Sequence, residues 1–192
     1  MKKIFAIIAA LTATVALTAQ SKIGFEDNNC FKTIGIYDRW EESPFRTGKL
    51  DGNCAVIDNH LKDEANGSDK ILAVQRSRFG SNTFGVRIDL KEPFELSTVN
   101  KNITFQLNRP YEGRVMVIGL GRRADRPWQA VQTEQFTRIS EDDVPADSWQ
   151  TVSIPVKGAP GVLIYSIVIV PDCESPHDYP EDKACYIDNI SY

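Results

Sequence analysis

The chain has 192 residues, of which 42% are hydrophobic and 25% charged, and 22 basic residues against 26 acidic ones give a net charge of −4. This length is enough for one domain with a substantial core. The acidic balance argues against nucleic acid and anionic membrane surfaces as partners, because both select a basic face.

Residues 1–19 are predicted to be a secretory signal peptide. Two lysines precede an apolar run that ends at Leu17, and the small residue Ala19 follows at the expected cleavage point. The apolar run is short for a membrane span, although a retained N-terminal anchor is the alternative. The first cysteine is Cys30, so we do not expect a lipoprotein. We expect residues 20–192 to form a single exported domain, either periplasmic or extracellular.

All four cysteines lie in the predicted exported part. An even number of cysteines in an oxidising compartment predicts two disulfides. Of the three possible pairings we favour Cys30–Cys54 with Cys173–Cys185, because each closes a local loop that would stabilise the fold by roughly 3 kcal/mol. Metal ligation is the competing interpretation, but it requires a clustered C-x-x-C spacing that the sequence lacks.

Short runs rich in Val, Ile, Phe and Thr recur along the chain, separated by Gly, Pro, Asn and Asp. One run places four apolar side chains on a single face, namely Phe84, Val86, Ile88 and Leu90. The run 163–170 is apolar on both faces apart from Ser166, which predicts a central strand covered on both sides. The predicted strands are 22–27, 54–59, 70–76, 83–90, 102–108, 114–120, 130–138, 149–156, 163–170 and 184–191. Without any helical period, this pattern indicates an all-β, antiparallel two-sheet sandwich.

Two carboxylates stand in the first and last of these runs, at Glu26 and Asp188. A fold that pairs its first and last strands would bring them together, and like charges at close range need a cation or hydrogen-bond donors between them. Calcium prefers several hard oxygen ligands, and carbonyl groups of residues 49–53 would complete its shell. We therefore expect a structural calcium ion at Glu26 and Asp188. The alternative is that Asp188 accepts backbone N–H groups while Glu26 is solvated.

Four segments, taken in chain order, carry a family resemblance. They are Gly24-Phe25-Glu26-Asp27; Val56-Ile57-Asp58-Asn59 followed by Asn66-Gly67-Ser68-Asp69-Lys70-Ile71-Leu72; Trp149-Gln150-Thr151-Val152-Ser153-Ile154-Pro155-Val156; and Tyr186-Ile187-Asp188-Asn189-Ile190. Together they resemble jelly-roll carbohydrate-binding modules of the galactose-binding-domain-like type, as exported by glycan-degrading Bacteroidetes. The resemblance covers nearly the whole predicted domain. It implies a jelly roll, sugar binding, and often a structural calcium between the first and last strands.

A sugar site needs aromatic rings that stack on pyranose faces and planar polar groups that bind hydroxyls. Three aromatic residues in loops or turns are candidate platforms, namely Trp128, Tyr111 and Trp40. Polar side chains opposite the core are expected to line a concave groove, namely Arg87, Gln106, Gln132 and Glu134. For the tryptophans, the alternative is a ring that lies over a core edge.

Arg126, with Arg122 and Arg123, would recognise the carboxylates of acidic sugars through bidentate contacts. The plainer interpretation is a solvated charged loop, which needs no partner.

Signatures of catalysis are weak. The only histidines, His60 and His177, lie in polar, turn-rich segments, and neither a G-x-S-x-G nor an H-E-x-x-H motif occurs. Some jelly-roll polysaccharide lyases use a Gln-x-His strand, whereas this chain has Gln132-Thr133-Glu134. The leading hypothesis is a non-catalytic module that binds a polysaccharide or oligosaccharide. An envelope structural or protein-interaction domain comes second, and a lyase or glycoside hydrolase third.

Overall fold

The computed structural model describes residues 21–27, 30–40, 53–174 and 180–192. The predicted signal peptide 1–19 lies outside the described residues, as does His177. Every regular element in the described ranges is a β-strand, and none of these ranges contains a helix suited to crossing a membrane. The prediction of an all-β fold is therefore confirmed.

Within the described ranges, eleven strands form two antiparallel sheets. They are β1 (Lys22–Ile23), β2 (Phe31–Tyr37), β3 (Cys54–Asp58), β4 (Lys70–Arg76), β5 (Gly85–Glu95), β6 (Lys101–Asn108), β7 (Met116–Arg123), β8 (Thr133–Ile139), β9 (Gln150–Val156), β10 (Val162–Val170) and β11 (Lys183–Ser191). The six-stranded sheet has the order β3-β4-β11-β6-β9, with β1 paired to β11, and the five-stranded sheet has the order β2-β5-β10-β7-β8. This arrangement is the two-sheet jelly-roll sandwich that the sequence predicts.

The first and last strands of the domain are neighbours, as expected. Ile23 of β1 pairs with Ile190 of β11, beyond the part of β11 that pairs with β4. Both isoleucines are fully buried in the core between the sheets. This pairing adds β1 to the six-stranded sheet beside the last strand, β11.

Each of the ten predicted strands corresponds to an observed strand, but β2 was not predicted. In β2 the apolar side chains that reach the core are Phe31, Ile34 and Ile36, which do not keep a period of two. The register between β2 and β5 shifts between Phe31 and Thr33, so one extra residue moves the inward positions from odd to even numbers. Such a bulge hides the strand from a search for strict alternation.

Strand β10 is central, as its two-sided apolar pattern predicts. It lies between β5 and β7, and its inward side chains Ile164, Ile167 and Ile169 are fully buried in the core. Val168 and Val170 point to the opposite face and are also fully buried. The five-stranded sheet is therefore covered on both faces along this half of β10.

A glycine and an aromatic ring pair directly across β7 and β8. Gly119 is in register with Phe136, and a Cβ atom added at Gly119 would lie 2.1 Å from the nearest ring carbon of Phe136. The ring therefore occupies the space that a side chain at Gly119 would need, an arrangement that aligns neighbouring strands.

We expect Gly119→Ala to lower the free energy of unfolding by about 1–3 kcal/mol, because the buried ring must leave its preferred position. Gly35→Ala is the matched control, since a Cβ atom at Gly35 meets no atom within 4 Å. The control should stay within about 0.5 kcal/mol of wild type in urea denaturation. Equal stability of the two variants would contradict this packing.

All four cysteines are free thiols in the structure. Neither predicted disulfide, Cys30–Cys54 or Cys173–Cys185, is formed. Burial raises the pKa of Cys173 to about 11 and that of Cys185 to about 11, so both side chains are protonated at neutral pH.

Cys30 and Cys54 have different neighbours in the structure. Cys54 is in register with Val74, which pairs on its other side with Cys185 near the start of β11. Cys30 Sγ lies 3.7 Å from Asp27 Oδ1.

We expect intact-mass analysis after alkylation in denaturant, without reductant, to find four modified cysteines. In the native protein at pH 7.5, Cys173 and Cys185 should resist iodoacetamide, because the thiolate is the reacting species and burial keeps both thiols protonated. Fewer than four modified cysteines in denaturant would show that disulfides form.

Candidate functional site

The outer face of the five-stranded sheet, turned away from the core, carries rows of side chains that cross all five strands. One row consists of Gly35, Arg87, Val168, Ile118 and Thr137. The next row consists of Thr33, Asp89, Ser166, Leu120 and Glu134. Along β10 the outward residue changes from Val168 to Ser166, so the outer face turns from apolar to polar.

The apolar half of the outer face is closed. Its side chains are at most 5% exposed and form one cluster, namely Met116, Ile118, Leu120, Val168 and Val170. Tyr37 packs against this cluster from the end of β2. A ligand therefore cannot reach the sheet over this half.

Glu134 joins the two edges of the five-stranded sheet. The Tyr37 hydroxyl donates to Glu134 Oε1 over 2.7 Å, and Arg39 donates from Nε to Oε1 over 2.8 Å and from Nη2 to Oε2 over 2.6 Å. Tyr37 ends β2 and Glu134 lies in β8, the opposite edge strand, so these bonds pass over the outer face. We call Tyr37, Arg39 and Glu134 the Glu134 bridge.

The Glu134 bridge holds its carboxylate ionised. Burial by itself raises the pKa of Glu134, but the hydrogen bonds from Arg39 and Tyr37 outweigh it and leave the pKa below its usual range. Burial, followed by the bond to Glu134, raises the pKa of Tyr37 to about 12. The bridge therefore stays intact across the neutral pH range.

The polar half of the outer face contains an open groove of about 260 Å³. Its polar and aromatic lining consists of Lys32, Thr33, Asp89, Gln132, Tyr165 and Ser166, with Leu90 and Val131 as the apolar part. Since β2, β5, β10 and the approach to β8 all contribute, the groove runs across the strands beside the Glu134 bridge. We call it the cross-strand groove.

Asp89 is held firmly in the cross-strand groove. Its Oδ2 accepts a hydrogen bond of 2.5 Å from Thr33, and its Oδ1 accepts one of 2.7 Å from Ser166. Arg87 Nε lies 3.1 Å from Asp89 Oδ1, which completes an ion pair along β5. The carboxylate is thus charge-compensated from its own strand and fixed by hydrogen bonds from both neighbouring strands.

Tyr165 supplies the aromatic surface of the groove. The pairing of β10 with both neighbours shifts between Ile164 and Ser166, so Tyr165 sits at a β-bulge. The Arg122 guanidinium lies 5.6 Å from the centre of the Tyr165 ring and donates a 2.5 Å hydrogen bond to the Pro127 carbonyl. A cation over the ring face is favourable, so Arg122 also orients the ring.

The loop from β7 to β8 borders the groove and ends in its lining residues. A turn closed by the Gln129 N–H and the Arg126 carbonyl (3.0 Å) presents Trp128, which is 79% exposed. Trp128 therefore stands free of the core, close in sequence to Gln132. Trp40 is also exposed, at 55%, but does not line the groove.

Of the polar residues predicted for one concave groove, the structure brings Arg87, Gln132 and Glu134 to the same face. Gln106 must be corrected, because it lies in β6 of the other sheet. Its side chain donates to the Ala65 carbonyl over 2.6 Å and accepts from Asn189 over 2.7 Å. Gln106 anchors a loop and cannot share a groove with Arg87.

Tyr111 must also be corrected as a sugar platform. Its hydroxyl lies 3.0 Å from Cys185 Sγ, and the buried Arg109 guanidinium stacks 4.9 Å from its ring centre. Burial raises the pKa of Tyr111 far above its usual value. The ring is half-buried, with its hydroxyl against Cys185 and the Arg109 guanidinium over it, and it does not line the groove.

Of the lining residues only Gln132 was predicted, so the sequence analysis missed the charged and aromatic groups Lys32, Asp89 and Tyr165. Lys32 lies at the bulge that conceals β2, and Tyr165 lies at the bulge inside an otherwise apolar strand. The sequence did contain one signal, Tyr165 itself. The hydroxyl of a tyrosine in a strand covered on both faces needs a hydrogen-bond partner or contact with solvent.

The predicted metal residues both bond to the loop between β3 and β4. Asp188 is fully buried, and its Oδ2 accepts a 3.0 Å hydrogen bond from Asn66 Nδ2. Glu26 is exposed, and its Oε1 accepts a 2.7 Å hydrogen bond from the Asp69 N–H. Asp188 Oδ1 has no hydrogen-bond partner among the described residues. An orphaned, buried carboxylate oxygen of this kind fits a cation.

Other features of this region give less support to a metal. No group of three or more His, Cys, Asp or Glu side chains in the described ranges is arranged to hold an ion. Of the predicted carbonyl ligands 49–53, only Asn53 belongs to the described residues.

Comparison by sequence finds no relative: no protein-family model matches the chain, and no curated protein matches it. Comparison by structure finds carbohydrate-binding modules. The chain is similar to the CBM22-2 xylan-binding domain of Paenibacillus barcinonensis Xyn10C, with 10% identity and a TM-score of 0.54, over 88% of this chain and 95% of that domain. It is also similar to the family 11 carbohydrate-binding module of Clostridium thermocellum in complex with a β-1,3-1,4-mixed-linked tetrasaccharide, with 11% identity and a TM-score of 0.50, over 90% and 94%.

A third similar structure is the CBM22-1–GH10 part of Clostridium thermocellum xylanase 10B in complex with xylohexaose. There the identity is 12% and the TM-score 0.53, and the match covers 90% of this chain but only 28% of that longer protein. At these identities the likeness establishes the fold that this chain shares with carbohydrate-binding modules.

Proposed function

We propose that the chain is a non-catalytic glycan-binding module whose ligand lies in the cross-strand groove. One observation carries this proposal: an aromatic ring, a side-chain amide and a fixed carboxylate meet in an open groove on a rigid sheet, at Tyr165, Gln132 and Asp89. Sugar recognition requires this combination, because a pyranose has an apolar face and a rim of hydroxyl groups.

The groove is prepared for binding before a ligand arrives. Asp89 is held by Thr33, Ser166 and Arg87, and Tyr165 is oriented by Arg122. Groups that are already ordered lose little conformational entropy on binding, so more of each contact is available as affinity. Trp128 would supply a second aromatic surface from the loop that leads to Gln132.

The solved neighbours support the same type of ligand. Two of the matched structures hold oligosaccharides: xylohexaose in the structure of joined CBM22-1 and GH10 modules, and a mixed-linked tetrasaccharide in the family 11 module. The chain matches the second of these modules and the xylan-binding domain over nearly their full lengths. These matches support a role as a glycan-binding module.

The carboxylates beside the groove are unsuited to glycoside hydrolysis. A hydrolase needs one carboxylic acid with a raised pKa to protonate the leaving group. The pKa of Glu134 is instead lowered, and Asp89 is paired with Arg87. His60 packs against Tyr186 on the other sheet, so it does not serve this groove either.

A protein-interaction domain is the second candidate. The observation that favours it is the large share of the outer face made of apolar side chains, such as Ile118 and Val168. Those side chains are already buried, however, so they offer no surface to a partner. The part of the face that stays open is the polar groove, which favours glycan binding over protein interaction.

We expect Tyr165→Ala to weaken binding to a glycan-array hit by about tenfold or more, because a central stacking ring is lost. Tyr165→Phe should retain most of the affinity, and Trp128→Ala should cost roughly three- to tenfold. Trp40→Ala is the control, being an exposed tryptophan outside the groove, and should change affinity less than twofold. The measurement is isothermal titration calorimetry.

A loss confined to Trp40→Ala would place the sugar site elsewhere. A wild-type protein that is retained by no glycan on a broad array would overturn the proposal in favour of the protein-interaction domain.

We also propose that Asp188 and Glu26 hold a structural calcium ion. The support is the buried, unpartnered Asp188 Oδ1 and the shared contact of both carboxylates with the β3–β4 loop. When bound, the ion would neutralise the buried carboxylate and fix this loop to the six-stranded sheet.

We expect 1 mM calcium to raise the melting temperature by about 5–10 °C relative to EDTA, if the site is near saturation. Asp188→Asn should abolish this difference, whatever its effect on the melting temperature in EDTA. Asp58→Asn, at an exposed carboxylate on neighbouring β3, should retain it. The same melting temperature for the wild type in calcium and EDTA would rule out the ion.

A further inference from the structure

The charges around the cross-strand groove do not balance. Asp89 in the groove pairs with Arg87, and Glu134 beside the groove pairs with Arg39. Two further cations remain. Lys32 lines the groove, and the Arg122 guanidinium lies 5.6 Å from the centre of the Tyr165 ring. Within the described ranges, neither Lys32 nor Arg122 forms an ion pair.

This positive surplus stands against the charge of the whole chain, which is −4. Acidic side chains collect elsewhere: Glu141, Asp142 and Asp143 line a different groove, beside the edge strand β9. Arg123, the residue after Arg122, adds no unpaired charge, because it is paired with Asp125 through two hydrogen bonds. Lys32 and Arg122 therefore leave a local positive charge at the groove that we assign to the sugar.

Arg122 is also held in a fixed position. Its guanidinium donates to the Pro127 carbonyl and lies over Tyr165, so its orientation is set before a ligand binds. A guanidinium has five N–H donors in a fixed fork, and one bond to a carbonyl leaves donors for an anion. Lys32 adds a mobile ammonium group on the β2 side of the groove.

We infer that the glycan bound in the cross-strand groove carries an anionic group, a uronic acid carboxylate or a sulfate ester, which Lys32 and Arg122 receive while the sugar ring lies on Tyr165. This inference rests on the proposed glycan-binding function and adds the ligand class. Asp89 does not oppose it, because Arg87 compensates the charge of its carboxylate and Thr33 and Ser166 each donate to one of its oxygens.

Affinity electrophoresis and calorimetry with matched polymers test the inference. The carboxylate arm compares polygalacturonate with its methyl-esterified form, and the sulfate arm compares a sulfated galactan with its desulfated form. In at least one arm we expect the anionic polymer to bind about tenfold or more tightly than its neutral counterpart at 50 mM NaCl, as for a charge-assisted hydrogen bond. The preference should shrink at 500 mM NaCl.

Variants then assign the effect to the groove. Lys32→Met and Arg122→Gln should each reduce the preference for the anionic polymer by about tenfold. Lys32→Arg, which keeps a positive charge at this position, should retain the preference. Lys101→Met, at an exposed lysine on β6 of the other sheet, should leave it unchanged. Thermal unfolding confirms that each variant is folded.

The outcomes separate the two claims. Equal binding of charged and neutral polymers would overturn the anionic ligand and leave glycan binding intact. An anionic preference that Lys101→Met reduces as much as Lys32→Met would show non-specific attraction and overturn the assignment to this groove. Retention by no glycan on a broad array would overturn both claims.

Discussion

The burial of β10 on both faces is the constraint on which the rest of the five-stranded sheet depends. An apolar strand with two covered faces needs a core on one side and a second layer on the other. Here the inner side packs into the main core, and Val168 and Val170 lie in the second cluster beneath Tyr37. That covering stops at the bulge between Ile164 and Ser166. The groove begins where the covering stops, so the extent of one apolar strand determines where a ligand can bind.

The polar contacts beside the groove follow from the same constraint. A carboxylate at the edge of an apolar cluster is costly unless it is paired, because burial disfavours its charge. Glu134 meets this need with Arg39 and Tyr37, and Asp89 meets it with Arg87 and two hydroxyl groups. The pairs that make burial tolerable also fix the carboxylates. The same hydrogen bonds therefore stabilise the two carboxylates and hold them in fixed positions beside the groove.

The sequence predicted the fold well and the site only in part. Alternation identified strands such as β4, whose bounds agree at both ends, and the two-sided run identified the central position of β10. Alternation failed at the bulges, because one inserted residue moves every later side chain of the strand to the opposite face of the sheet. Lys32 and Tyr165 lie at such points, so no pattern of period two could place them in the groove.

The sequence pattern also could not show to which of the two sheets a strand belongs. Gln106 has the alternating pattern of a groove residue, and only the strand order shows that β6 belongs to the other sheet.

The two sheets also keep the proposed metal site apart from the cross-strand groove. Asp188 and Gln106 face the β3–β4 loop on the outside of the six-stranded sheet, whereas the groove is built on β2, β5, β8 and β10 of the five-stranded sheet. Two packed sheets are separated by about 10 Å of core side chains. An ion at Asp188 would therefore act on the groove only by stabilising the whole sandwich. Changes at Asp188 and changes in the groove should therefore affect the protein independently of each other.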